Sequence, residues 1–133
     1  MGSILLPVIG QTVPVNGQTV PGDLAEAFRK GDANKMSAFF HQSLEMNILE
    51  NDYEASKNQA TRIMQNFFMN HPPTEFKVSF EGIKEQSKYA IGKLSTKDGA
   101  FRVNMFFLNK EGNRLIYYLS IEKESLYELD PRP

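Results

Sequence analysis

Apolar residues along this chain recur at helical spacing up to Pro73 and alternate beyond it, with one early exception. Leu24, Ala27 and Phe28 stand at i, i+3 and i+4. Asp23-Leu24-Ala25-Glu26 has the form of an acidic capping box, and Gly31 suits the position just past a helix end. Asp32 then predicts the cap of a second short helix whose apolar face is Met36, Phe39 and Phe40. The exception follows. Leu44, Met46 and Ile48 alternate with Glu45 and Asn47, which predicts a short half-buried strand over 43–49 and a polar turn at Asn51-Asp52. Ser56-Lys57-Asn58-Gln59 is a capping box of the Ser-x-x-Gln type. It opens a helix with one apolar stripe of Ala60, Ile63, Met64, Phe67 and Phe68, stopped at His71-Pro72-Pro73 because proline cannot continue the backbone ladder.

After Pro73 the period falls to two. Phe76, Val78 and Phe80 predict a strand with a bulge at Gly82, and residues 88–96 a second strand turned by Lys97-Asp98-Gly99. Phe101, Val103, Met105 and Phe107 form one face of a third strand. Lys110-Glu111-Gly112-Asn113 turns it into a fourth carrying Leu115, Tyr117, Leu119 and Ile121 on one face. Long strands and short turns predict an antiparallel meander, hence an α+β fold with three N-terminal helices on one face of a curved antiparallel sheet. Residues 1–20 contain Gly-Gln-Thr-Val-Pro twice, at Gly10–Pro14 and Gly17–Pro21, and read as an extended or disordered arm. The domain is then 21–124. A tail over 125–133 has Leu126 and Leu129 spaced for one helical turn.

Composition narrows the chemistry. Fifteen Lys and Arg against sixteen Asp and Glu, without basic clusters, give no electrostatic footprint for nucleic acid. The chain has no Cys, so it has no disulfide, thiolate nucleophile or Cys-ligated metal. No apolar run is long enough for a membrane span. The two His, His41 and His71, have no helical metal-ligand spacing, and no phosphate-binding glycine loop or nucleophile elbow is present. Neither a metal nor a cofactor is expected.

Several local sequences carry a likeness: Arg29-Lys30-Gly31-Asp32-Ala33, Phe67-Phe68 with Asn70-His71-Pro72-Pro73, Ser87-Lys88-Tyr89-Ala90-Ile91-Gly92, and Phe101-Arg102-Val103. From Ala27 to Glu122 the chain resembles the bacterial family called domain of unknown function 4783. That family lies within the nuclear-transport-factor-2-like superfamily, which also houses ketosteroid isomerase and scytalone dehydratase. The resemblance implies a cone-shaped α+β fold with a pocket between the long helix and the concave sheet. It also implies a secreted or periplasmic protein, because relatives carry an export signal. It implies no activity.

Within such a pocket the candidates are Phe40, His41, Tyr53, Met64, Phe67, Phe68, Phe101 and Tyr117. His41 is either a general base or a cation favoured at a helix C-terminus, and Asp52 and Tyr53 are either pocket groups or a solvated turn. Tyr117 and Tyr118, being adjacent on a strand, are expected on opposite faces. Arg102 and Asn104 share a face with Phe106 and Leu108, which suits a homodimer surface on the sheet. No residue is assigned as catalytic. The expected function is binding of an apolar small molecule in the cone, or of a protein partner through the sheet. The alternative is an acid–base enzyme of the isomerase or dehydratase kind. A filled interior beside an apolar outer patch would mark the interaction protein.

Overall fold

The computed structural model describes residues 19–124. Within them the order is α1 (Gly22–Lys30), α2 (Ala33–Ser37), β1 (Phe40–Ile48), β2 (Asn51–Ser56), α3 (Lys57–Asn70), β3 (Pro73–Lys84), β4 (Ser87–Thr96), β5 (Gly99–Lys110) and β6 (Asn113–Lys123). The six strands form one sheet in the order β2-β1-β6-β5-β4-β3. All neighbours are antiparallel except β1 and β6, which run parallel. The fold is thus α+β as expected, but the sheet is mixed rather than antiparallel, and two strands precede α3 where one was expected. The parallel pair arises because β1 joins the far end of the meander, a contact that local periodicity does not encode. The arm over 1–18 and the helical turn expected at Leu126 and Leu129 lie outside the described residues. Thr19 and Val20 are buried, Val20 as part of the core.

The long helix forms as its sequence predicts. The Ser56 hydroxyl accepts the Gln59 N–H at 3.1 Å and the Gln59 side chain accepts the Ser56 N–H at 2.9 Å, completing the capping box. Ala60, Met64, Phe67 and Phe68 are buried along one stripe, with Ile63 at its margin. The first helix differs from expectation. It begins at Gly22, so Asp23 lies inside the first turn, and the Pro21 carbonyl accepts the N–H groups of Leu24 and Ala25 at 3.0 and 3.1 Å. Glu26 pairs instead with Arg29 and Lys30, and the Arg29 guanidinium, followed by Lys30, holds its carboxyl below the ordinary range. Asp32 caps α2 through the Lys35 N–H at 3.0 Å. That helix ends at Ser37, because the Phe39 carbonyl is taken by the Ile116 N–H of β6 at 2.7 Å. Phe40 and His41 are therefore strand residues and not the end of a helix.

One face of the sheet packs on the helices. Leu44, Met46 and Ile48 of β1, Ala90 and Leu94 of β4, the alternating Phe101–Phe107 set of β5, and Ile116, Leu119 and Ile121 of β6 are all buried. A chain of aromatic contacts links this face to the helices. Phe28 stacks on Phe76 at 4.6 Å and meets Phe68 edge-on at 6.4 Å; Phe67 then touches Phe68 at 5.8 Å and Phe101 at 5.3 Å. The Phe76 ring lies over Gly92, where a Cβ would come within 2.5 Å of it.

Three departures from simple alternation reshape the sheet. In β3, Val78 pairs with Gly92 but Phe80 with Ile91, so Ser79 is an extra residue and Phe80 turns to the outer face, 50% exposed. The bulge is at Ser79 and not at Gly82, which pairs regularly with Tyr89. In β6, Phe106 faces Tyr118 while Phe107 faces Ile116, so Tyr117 is the extra residue. Leu115 and Tyr117 consequently leave the face of Leu119 and Ile121. In β1, residues 41–44 lie between the pairs Phe40–Ile116 and Glu45–Tyr118, where β6 supplies only Tyr117, so β1 separates from β6 there. The turn between β1 and β2 is Leu49-Glu50, with φ of 51° and 73°, so Asn51 and Asp52 belong to a strand. The same pair of positive φ angles recurs at Glu85-Gln86, and such turns suit the twist of a hairpin although neither pair contains glycine.

Two stability measurements follow from these positions. Glu50→Gly relieves a left-handed backbone at an exposed side chain and raises stability to denaturant by about 0.5–1 kcal/mol; an unchanged or lowered midpoint refutes strain at this turn. Gly92→Ala drives a methyl into the Phe76 ring and costs about 1–3 kcal/mol, read in the same unfolding experiment, and a neutral result would show that Phe76 moves freely.

Candidate functional site

Most of the residues expected to line a pocket between α3 and the sheet are buried in the packing there, while Phe67 and Phe40 also border clefts. Phe40, Met64, Phe67, Phe68 and Phe101 are each at most 5% exposed. Phe67 touches both Phe68 and Phe101, and Phe40 sits apart against β6, opposite Ile116. His41, Tyr53 and Tyr117 are not buried with them and lie in three different places.

Tyr53 projects from the face of β2 that Met46 shares, while its neighbour Asp52 lies on the other face and accepts a bond from Asn47 Nδ2 at 2.6 Å. Tyr53 borders a cleft of about 330 Å³ between the β1–β2 hairpin and α3. Leu49, Arg62, Asn66, Phe67 and His71 share its walls. His71 is the residue that sequence reasoning missed, since at the end of α3 it reads only as part of a stop signal. Its ring packs 4.9 Å from Phe67 and 5.0 Å from Phe101, and Nδ1 lies 3.2 Å from the Asp98 carboxylate in the β4–β5 turn. That pairing selects the tautomer with the proton on Nδ1 and leaves Nε2 as an acceptor at the cleft wall. An imidazole, a phenol, amides and a guanidinium can together hold a polar molecule. No carboxylate lines this cleft to serve as a second acid–base group.

His41 and Phe40 border a second cleft, of about 560 Å³, where β1 parts from β6. The His41 Nδ1 either donates to the Ser43 carbonyl at 3.0 Å or accepts the Ser43 N–H at 3.3 Å, according to tautomer. Among the described residues no group of three His, Asp or Glu side chains is placed to hold a metal ion, and no helix is long and apolar enough to cross a membrane.

Tyr117 belongs to the outer face of the sheet, turned away from the core. Because it is the extra residue of a bulge, it and Tyr118 lie on the same side and not on opposite ones. Phe106 stands 6.2 Å from Tyr117 and 5.9 Å from Tyr118, stacks on Tyr89 at 5.3 Å, and Tyr89 in turn contacts Phe80 at 5.6 Å. The Tyr117 hydroxyl donates to Ser87 Oγ at 3.0 Å. Five aromatic side chains thus cross four strands in one row. The next row carries Ile91 and a polar pair, Asn104 Nδ2 donating to Ser120 Oγ at 2.9 Å, and the one beyond is charged, with Lys93, Arg102 and Glu122 in register.

The His71 pairing can be tested by separating packing from the hydrogen bond. His71→Ala removes two ring contacts and lowers stability by about 1–2 kcal/mol. Asp98→Ala, at a carboxylate that is 55% exposed, costs less than about 1 kcal/mol. Denaturant unfolding that places the two costs in the reverse order would show that the bond to Asp98, not the packing, holds the ring.

With this geometry described, its relatives can be compared. No curated protein matches the sequence. The chain is similar to three crystal structures of DUF4783 family proteins. One from Bacteroides ovatus is 29% identical with a TM-score of 0.76, covering 82% of this chain and 99% of that one. One from Bacteroides uniformis is 30% identical with a TM-score of 0.74, covering 80% and 98%. One from Bacteroides fragilis is 28% identical with a TM-score of 0.75, covering 79% and 99%. A nuclear-transport-factor-2-like protein of unknown function from Shewanella baltica, 14% identical with a TM-score of 0.60 over 77% of this chain and 86% of that one, shares the fold alone. The family model for the domain of unknown function DUF4783 matches residues 22–122, and the chain belongs to that family.

Proposed function

We propose that this protein is a non-catalytic interaction module that pairs with a second copy of itself through the outer face of its cone-shaped sheet. The observation that carries this reading is the row Phe80, Tyr89, Phe106, Tyr117 and Tyr118 on the face turned away from the core. Contiguous apolar surface of this kind marks an interaction site in a globular protein. A second copy suits it better than an unrelated partner because the row is self-complementary. A two-fold rotation about the row brings rings onto rings and carries the polar row of each copy to the opposite side, the isologous geometry of most dimers. Sheets packed this way meet about 10 Å apart, a distance that large side chains fill. The packing of Met64, Phe67, Phe68 and Phe101 between α3 and the sheet weighs against an apolar small molecule held there. The export signal that the resemblance implies supports a periplasmic or extracellular setting for this association.

The cleft beside Tyr53 and His71 supports a second reading, in which a small polar molecule binds at the open edge of α3. The two readings differ in the surface they use. Light scattering after size exclusion gives a dimer at micromolar concentration on the first. Phe106→Ser with Tyr118→Ser gives a monomer whose circular dichroism and unfolding midpoint stay close to those of the parent. A parent protein that is monomeric at about 100 μM overturns the dimer, since interfaces of standard size hold well below that concentration.

A further inference from the structure

The cleft where β1 parts from β6 has a charge character unlike the rest of the protein. Its basic lining residues come from three elements: His41 from β1, Lys57 from the first turn of α3, and Lys110 and Arg114 from the two sides of the β5–β6 turn. Glu111 is the one carboxylate that lines it. Elsewhere on this nearly neutral chain, several cations have carboxylate partners within 4 Å: Arg29 and Lys30 on Glu26, Lys77 on Glu75, Lys93 on Glu124. Lys57, Lys110 and Arg114 have none among the described residues. The Nε of Arg114, like that of Arg102 on the outer face of the sheet, is also shielded from solvent without a hydrogen-bond partner among the described residues.

We infer that this cleft binds a small phosphorylated molecule. Three cations that approach from separate elements can each take a different oxygen, which suits a tetrahedral phosphate carrying nearly two negative charges; a planar carboxylate is better served by one guanidinium fork. Lys57 adds the positive end of α3, whose first-turn N–H groups are only partly satisfied by Ser56. Gln42, Asn109 and Asn113 also line the cleft and supply amides for a polar body attached to the phosphate. About 560 Å³ leaves room for such a body, being within the range of small-molecule sites. The irregular pairing of β1 with β6 thereby has a use: residues 41–44 bow away from Tyr117 and open the space.

The test is a titration of the full chain with inorganic phosphate and with glycerol 2-phosphate, followed by amide shifts in two-dimensional NMR at constant ionic strength. The expected result is saturable shifts at Lys57, Lys110, Gly112 and Arg114, with the phosphomonoester binding more tightly than phosphate alone. Arg114→Gln weakens binding about tenfold, the effect of one charged hydrogen-bonding group. Lys57→Gln with Lys110→Gln, at two exposed positions, does the same without loss of fold. Shifts that sodium chloride reproduces, shifts that do not saturate, or binding unchanged in both variants overturn the site. Citrate binding more tightly than glycerol 2-phosphate overturns the assignment to phosphate. The dimer is read separately by light scattering, so either inference can fail without the other.

Discussion

The pairing of β1 with β6 is the constraint on which the rest of the structure depends. It joins the first strand of the chain to the last, more than sixty residues later, and it is the only parallel contact in the sheet. Without it the β1–β2 hairpin would have no strand partner in the meander, which α1 reaches separately through Phe28 on Phe76. Its two ends are held by main-chain bonds from outside the regular ladder: Ile116 N–H to Phe39 at 2.7 Å, and Leu49 N–H to Ile121 at 2.9 Å. Between them the strands diverge. A long-range pairing of this kind has to overcome loop-closure entropy before it contributes anything, so it forms only once the local hairpins and α3 offer it a surface.

What the pairing encloses is determined by side-chain volume. Ten Phe serve a domain of modest size, and Phe28, Phe67, Phe68, Phe76 and Phe101 interlock between helix and sheet. Large rings that meet edge-to-face fill the interior, so polar chemistry is displaced to places where the backbone is irregular. One such place is the end of α3, where His71 meets Asp98. Another is the separation of β1 from β6. A third is the bulge at Tyr117, which puts two tyrosines on one face. Surface function and backbone irregularity coincide here because a regular ladder over a filled core leaves no concavity.

The same division explains how much could be read from the sequence. The long helix was fully legible, because Ser56 with Gln59 and the stripe from Ala60 to Phe68 are local signals, and so was the buried face of β5. The Gly99 and Gly112 turns were legible through their glycines. The β2 strand was not, since Asn51, Asp52 and Glu54 look like a loop until pairing with β1 makes them an edge. Turns at Leu49-Glu50 and Glu85-Gln86 adopt positive φ without the residues that usually announce it. Of the candidate site, the aromatic positions were found but most of them proved to be core. A bulge shifts every later residue to the other face, so Ser79 and Tyr117 defeated the alternation rule for Phe80 and Leu115. His71 and Asp98 lie twenty-seven positions apart and only the fold brings them together.

The extra residue in β3 also governs how copies of this protein can aggregate. That strand is one of the two sheet margins, and it is twelve residues long, the kind of exposed edge that templates fibrils. Ser79 interrupts it, turning its hydroxyl back to the Ile91 carbonyl at 3.0 Å. Glu75, Lys77, Glu81 and Lys84 distribute charge along its length, and Pro73 at its start has no N–H to donate. The opposite margin, β2, is short and carries Asp52 and Glu54. Addition of strands end over end is therefore blocked on both sides. With both margins guarded, the proposed pairing through the aromatic face would close after two copies and leave no open-ended polymer.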